Sequence, residues 1–381
     1  MAIHIGIVAG ESSGDQLGGS LITALRNLSP DIRITAMAGP KMVAAGCEPI
    51  AGVDELSVMG LAEVLRKYPS LRRLRNRVRD FYLESRPDVF VGIDVPDFVL
   101  GIEASLRAAG IKTVHCVAPQ IWAWRQSRAK RIAEKVDLLL TLFPFEVPFY
   151  ERYNVNATYI GHPIADQFPL ECDKSAAQQR LGLTQGRLAV AIMPGSRSQE
   201  WMRHADLFLH SVKLFATRVP DAVFMVGAAS PAAKDHLRQR ADQICRDLDI
   251  TVLEGRSHEI LLASDLALCA SGTVTMEGLF AKTPLVVAYK ISPLTYAVMK
   301  RMVKIPFIAM PNILAGREVL PEFVQNDAQP QALADALVCW SRSPQRVADF
   351  QRECRTIHAS LRGNAAQRAA NEILQLASGT A

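Results

Sequence analysis

Four stretches of this chain combine residue types that handle phosphate, sugar hydroxyls or a proton in transit. Ala270-Ser271-Gly272-Thr273-Val274-Thr275-Met276-Glu277 joins small residues to a helix start. Gly272 permits close backbone approach, the free N–H groups of a helix beginning at Thr273 suit a phosphate, and Ser271 adds a hydroxyl. Glu277 follows one turn later, where its carboxylate accepts from the two hydroxyls of a ribose, unless it is a solvated residue on a capped helix. Pro194-Gly195-Ser196-Arg197-Ser198 repeats the arrangement with an arginine, whose planar fork fits a diphosphate. Gly92-Ile93-Asp94-Val95-Pro96-Asp97-Phe98 sets two carboxylates at the end of an apolar run. Asp94 is better placed to take a proton from an attacking hydroxyl, and Asp97 suits a helix N-cap. Gly10-Glu11-Ser12-Ser13-Gly14-Asp15 lacks the spacing of a dinucleotide loop, which argues against NAD, and its two acids repel a pyrophosphate. Glu11, Ser12, Ser13, Gly14 and Asp15 read either as the lining of a hydroxyl-rich acceptor site or as a plain turn with a helix cap.

These stretches follow short apolar runs in a regular alternation of strand and helix patterns. Strands are expected at His4–Ala9, Ile32–Ala38, Val89–Ile93, Thr113–Val117, Asp137–Leu142 and Thr158–Ile160. A second series follows at Leu188–Met193, Ala222–Val226, Ile250–Leu253, Leu266–Cys269 and Leu285–Ala288, with helices such as Trp201–Arg218 between. The pattern predicts an α/β protein of two Rossmann-like, doubly wound parallel sheets, with ligands beyond the carboxyl ends of the strands at an interdomain cleft. The polar stretch Pro163–Ala176 marks the boundary, giving domains at 1–165 and 166–343 and a helical segment at 344–381. That tail either completes the second domain, crosses back to the first, or packs on another subunit.

The 381 residues, 49% of them hydrophobic, suffice for two cores, and 43 basic against 38 acidic residues is too small an excess for a nucleic-acid binder. Seven scattered cysteines without a Cys-x-x-Cys fit a reducing compartment. No leader or spanning apolar run is legible, so the protein is expected to be soluble or peripheral. No metal site is expected: Asp247-Leu248-Asp249 reads as a solvated turn, and the histidines show no ligand spacing. His162 is read as structural. From Val64 to Arg79 there are seven basic residues and no acidic one. Leu61, Leu65, Arg72, Arg73, Arg75 and Arg77 define either a basic amphipathic helix on an anionic bilayer or a core-facing helix with a cationic outer face. Gly278 to Gly316 likewise contains lysines and arginines but no Asp or Glu.

Together with Ile121-Trp122-Ala123-Trp124-Arg125 and Pro311-Asn312-Ile313-Leu314-Ala315-Gly316-Arg317, the four stretches occur in an order that resembles the lipid A disaccharide synthase family along nearly the whole chain. The resemblance implies a GT-B glycosyltransferase that inverts without a metal or cofactor. Its donor would be UDP-2,3-diacylglucosamine and its acceptor 2,3-diacylglucosamine 1-phosphate (lipid X), giving a β-1,6 disaccharide 1-phosphate and UDP. It makes Asp94 the base on the acceptor 6-hydroxyl, Arg197 and Glu277 nucleotide ligands, and Asn312 a further ligand through its block. It also implies the cytoplasmic face of the inner membrane of a Gram-negative bacterium, and dimers that exchange the carboxyl-terminal segment. Ser198 and Glu200 receive no catalytic role.

Overall fold

In the computed structural model, residues 3–10, 12–56, 61–184, 186–303 and 305–379 are described, with the backbone alone for residues 12, 61–68 and 294. The chain divides into one unit of Met1–Asp166 with Leu361–Ala381 and another of Gln167–Ser360. The segment drawn at 344–381 is therefore split. The helix Pro344–Leu361 belongs almost wholly to the second unit, and Ala365–Ala377 to the first.

The first unit carries β1 (His4–Ala9), β2 (Arg33–Ala38), β3 (Glu48–Gly52), β4 (Val89–Ile93), β5 (Lys112–Cys116), β6 (Leu138–Thr141) and β7 (Ala157–Tyr159). They form one parallel sheet in the order β3-β2-β1-β4-β5-β6-β7, with β1 paired to both β2 and β4. Its central strands are buried on both faces, which is why they read as unbroken apolar runs. On one face Ile5, Ile7, Val91 and Leu140 pack with Leu21 and Leu25 of the helix Ser12–Leu28 and with Ala369 and Ile373 of Ala365–Ala377. The carboxylate of Asp166 fastens the latter helix by accepting from the backbone N–H groups of Gly363, Asn364 and Ala365 at 3.0, 3.0 and 2.7 Å. On the other face Val8, Met37 and Phe90 meet Leu74, Val78 and Tyr82 of the helix Leu61–Ser85. Tyr82 lies across β1 at Gly6, where a Cβ would stand 2.5 Å from its ring.

The second unit carries β8 (Ala189–Met193), β9 (Val223–Ala228), β10 (Ile250–Glu254), β11 (Leu266–Ala270), β12 (Leu285–Tyr289) and β13 (Glu322–Val324), in the parallel order β10-β9-β8-β11-β12-β13. Two strands escaped the sequence pattern, β3 and β13. Both are edge strands, short and partly exposed, and β3 contains Pro49, so neither forms an apolar run. The strand expected to reach Val117 ends at Cys116, because Val117 adopts a left-handed conformation at φ 76°.

Candidate active site

At the carboxyl edge of the first sheet, β4 runs into two consecutive left-handed residues, Asp94 at φ 55° and Val95 at φ 44°. Aspartate tolerates that region, but a β-branched valine is strained in it, and such strain persists only where surrounding structure enforces it. Two contacts do so. Asp94 N–H donates to the Cys116 carbonyl at 2.9 Å, and the Val95 side chain occupies space that a Cβ on Gly10 would fill at 2.3 Å. The Gly10 stretch thus serves the Asp94 stretch: a side chain at Gly10 would expel Val95 and release Asp94.

Asp94 is half-buried, and its Oδ1 accepts from the Val95 N–H at 2.8 Å. No described hydrogen bond uses Oδ2. Burial, and then the neighbouring Asp94 charge, push the Cys116 thiol up to about 12. Asp97 is exposed and lies 3.5 Å from Arg128, which leaves Asp94 as the carboxylate held in one geometry.

The Trp122 loop adjoins this turn, since Arg128 lies near its end. Trp122 is buried and donates from Nε1 to Glu146 at 3.1 Å, while Glu146 also accepts from the N–H groups of Leu142 and Phe143. Burial pushes the Glu146 carboxyl up to about 7 despite those donors. Arg125 lies over the Trp124 ring at 4.1 Å. The resemblance drew attention to Trp122 but not to Glu146, whose only signal was a carboxylate after Phe143-Pro144-Phe145.

The acceptor loop is partly corrected. Asp15 is buried and accepts from the N–H groups of Gly39, Lys41 and Met42, each at 3.0 Å. Its carboxylate caps the short helix Pro40–Ala44, so three of its acceptor positions are committed to backbone of the protein. Ser13 is exposed and Gly14 buried. Glu11 and the side chain of Ser12 lie outside the described residues.

In the second unit, β11 leads into Ser271 and the helix Thr273–Ala281. Gly272 at its N-cap offers no side chain, so the first N–H groups have no side-chain cap. Ser271 donates instead to the Ile308 carbonyl at 2.9 Å, and Thr273 is exposed. Glu277 lies one turn in, its side chain 14% exposed, with Oε1 3.5 Å from His258 Nε2 and Oε2 buried without a partner. A buried carboxylate oxygen left unpaired costs stability unless a ligand donates to it, and ribose hydroxyls are suitable donors. His258, whose ring lies 4.6 Å from that of Phe168, gave no sequence signal because its partner is nineteen positions away.

The loop after β8 is built differently. Glu200 accepts from the N–H groups of Ser196 and Arg197 at 3.1 and 3.2 Å and pairs with the Arg197 guanidinium at 3.1 Å. Gly195, at φ 123°, accommodates this, since a Cβ there would meet Glu200 at 2.5 Å. The amides of Ser196 and Arg197 are therefore occupied, and the loop offers an anion the Arg197 side chain, which is 76% exposed. Glu200, given no role from sequence, shapes that loop.

Asn312 is corrected. It is fully buried, its Nδ2 donates to Leu320 O and Glu322 Oε1, and its Oδ1 accepts from the N–H groups of Val319 and Leu320. All four hydrogen-bonding positions of the amide are spent inside the protein. Glu322 in turn accepts from Ile308 and Ala309, next to the carbonyl that holds Ser271. Asn312 supports the Ser271 loop from behind and does not reach a nucleotide. Lys282, one of the cations between Gly278 and Gly316, is buried, donating to Pro169 O at 2.9 Å and lying 2.9 Å from His358 Nδ1.

Of the helix expected at a membrane, Leu74 and Val78 face the core, Arg72, Arg73 and Arg77 are exposed, and Arg75 is half-buried. Arg77 pairs with Glu55 at 2.7 Å. The side chains of Leu61 and Leu65 lie outside the described residues. Among the described residues no helix is long and apolar enough to cross a membrane.

Comparisons with known proteins agree with the fold. Similar solved structures include a putative UDP-N-acetylglucosamine 2-epimerase from Listeria monocytogenes, at a TM-score of 0.65 and 14% identity over 100% of this chain and 97% of that one. The glycotransferase of kitacinnamycin superposes at a TM-score of 0.60 and 18% identity, covering 98% and 99%. At such identities they establish the shared two-sheet GT-B fold. In sequence the chain is 48% identical to the lipid-A-disaccharide synthase of Azotobacter vinelandii and 46% identical to that of Pseudomonas aeruginosa strain UCBPP-PA14, in each case over 98% of both chains. Residues 5–376 match the family model described as Lipid-A-disaccharide synthetase. The chain belongs to that family, the glycosyltransferases of lipid A biosynthesis.

Proposed function

We propose that this enzyme transfers 2,3-diacylglucosamine from its UDP conjugate to the 6-hydroxyl of 2,3-diacylglucosamine 1-phosphate, inverting the anomeric carbon without a metal. Asp94 takes the hydroxyl proton as O6 bonds to the donor's C1. The bond from C1 to the diphosphate breaks, its electron pair leaves on UDP, and the product is the β-1,6 disaccharide 1-phosphate. The second unit supplies the nucleotide ligands. Glu277 accepts from the ribose, while Arg197 and the uncapped start of the helix Thr273–Ala281 face the diphosphate. Ser13 and Gly14 remain for the acceptor. Fold relatives support a UDP-sugar ligand, among them structures of Anabaena HepE with UDP-glucose and of a Neisseria meningitidis epimerase with UDP-GlcNAc.

The observation that carries this reading is Asp94, half-buried with Oδ2 unengaged, on a strained turn in a member of this family. Incubation with the two acylated substrates in EDTA, followed by mass spectrometry, should yield the disaccharide 1-phosphate. Absence of product with and without EDTA refutes the reaction, and product only without EDTA refutes metal independence.

The enzyme acts at the inner face of the inner membrane, where Arg72, Arg73 and Arg77 meet anionic headgroups. Changing these three to Glu should abolish co-sedimentation with anionic vesicles, and persistent binding would place the membrane surface elsewhere. In an exchanged homodimer the Asp166 cap and the seat of Ile373 would pass between copies. A mass of one chain in sedimentation would exclude it.

A further inference from the structure

His204 lies on the helix Ser198–Ala216, seven residues beyond Arg197, and is fully buried. Both ring nitrogens are engaged. The Lys290 backbone N–H donates to Nε2 at 3.0 Å, and Nδ1 lies 2.9 Å from the Pro194 carbonyl oxygen. A donor at Nε2 requires a lone pair there and a carbonyl at Nδ1 requires a proton there, so the two contacts together select one tautomer of the neutral imidazole. Burial agrees, holding the ring below its ordinary pKa. Phe208 stacks on the ring and Tyr289 tilts against it, at 5.4 and 5.7 Å. The charged groups facing it are Glu200 and Arg203 from its own helix and Lys290 from beyond β12.

The two backbone groups belong to different loops. Pro194 follows β8 and opens the Arg197 loop, whereas Lys290 follows β12. β8 and β12 are not neighbours, since β11 runs between them into Ser271-Gly272-Thr273. One imidazole therefore ties the loops on either side of the uncapped helix start. Cations gather along this tie. Arg203 donates to the Lys290 carbonyl at 3.4 Å, and Arg197 and Arg203 both act electrostatically on Tyr289. Among the described residues Lys290 has no carboxylate partner, while the nearby Glu200 is committed to Arg197.

We propose that His204 is a positioning residue whose neutral imidazole sets the Lys290 loop against the Arg197 loop, making Lys290 a further cationic ligand of a nucleoside diphosphate. The inference rests on the donor-site reading above and extends it to a residue that reading did not include. Loss of the Nε2 acceptor frees the Lys290 segment and leaves its N–H unpaired in a partly buried place. The Lys290 charge is then no longer held where the diphosphate lies.

The test is a double-mutant cycle read by calorimetry with UDP. Gln places an acceptor near the position of Nε2, whereas Asn reaches only the position of Nδ1. His204→Asn should weaken UDP binding about tenfold, and His204→Gln should stay within about threefold of the parent. Lys290→Met, which keeps the backbone N–H, should also lose about tenfold. Combined with His204→Asn it should lose little more, because the two changes remove one contact. Equal affinity in the Asn and Gln variants, or fully additive losses, would overturn the inference. Should His204→Asn not fold, unchanged affinity in Lys290→Met alone overturns it. Failure of the parent enzyme to bind UDP would instead overturn the donor-site reading, and the inference with it.

Discussion

The carboxyl edges of the two sheets are assembled from the same strand-loop-helix units, yet they treat charge in opposite ways. The first edge keeps its carboxyl groups fixed inside the protein. Asp94 sits on a turn with two left-handed residues, and Glu146 is buried under three N–H donors. The second edge offers positive charge outward, through Arg197 and an uncapped helix start, and leaves one carboxylate oxygen of Glu277 unpaired. A base must be held in one place before reaction, whereas a leaving group arrives with charge that the site must receive. Strained residues at Asp94, Val95 and Val117 fix the base on the first edge, whereas Gly195 and Gly272 shape the two donor loops on the second.

The sharpest way to break this contrast is Asp94→Asn. Transfer should fall about 10²–10⁴-fold while calorimetric UDP affinity stays at the parent value. A variant that lost both together would mean that the two edges do not divide the work. Next in size is the pH response of the first edge. Glu146 has a folded-state pKa of about 7 against an ordinary 4.5, so its contribution to stability is complete below 4.5 and is lost as the pH rises through 7. Relative to Glu146→Gln, the parent should lose about 2–3 kcal/mol of unfolding free energy between pH 5 and pH 8, measured in urea. A constant difference would mean that the carboxyl ionises without cost. The smallest effect belongs to the second edge. Glu277→Gln should weaken UDP binding about tenfold, and unchanged affinity would move the ribose elsewhere.

The strands that deliver the motifs were legible because a parallel strand covered on both faces has to be apolar where it is buried, and β1 after His4, β4, β8 and β11 all are. The edge strands lack that constraint. The two units were visible in the renewed alternation after Pro163, but the return of Ala365–Ala377 was one of three readings that a helical pattern permits. At the sites, residue type did not indicate exposure. Asp15 and Asn312 are the residues a ligand would choose, and each is consumed by backbone groups its own fold leaves open. His204, His258 and Glu146 were silent because their significance lies in partners on other elements, as with His204 and Lys290, eighty-six positions apart.

The helix Ala365–Ala377 closes a face of the first sheet, with Ala370 and Ile373 fully buried against strands made more than two hundred residues earlier. Protein synthesis proceeds from the amino terminus, and domains ordinarily fold as they emerge. Here the unit begun first is completed last. Until the whole of Gln167–Ser360 has been made, the nascent first unit carries an uncovered apolar strip along β4 and β5, so the second unit is made while the first is still unfinished.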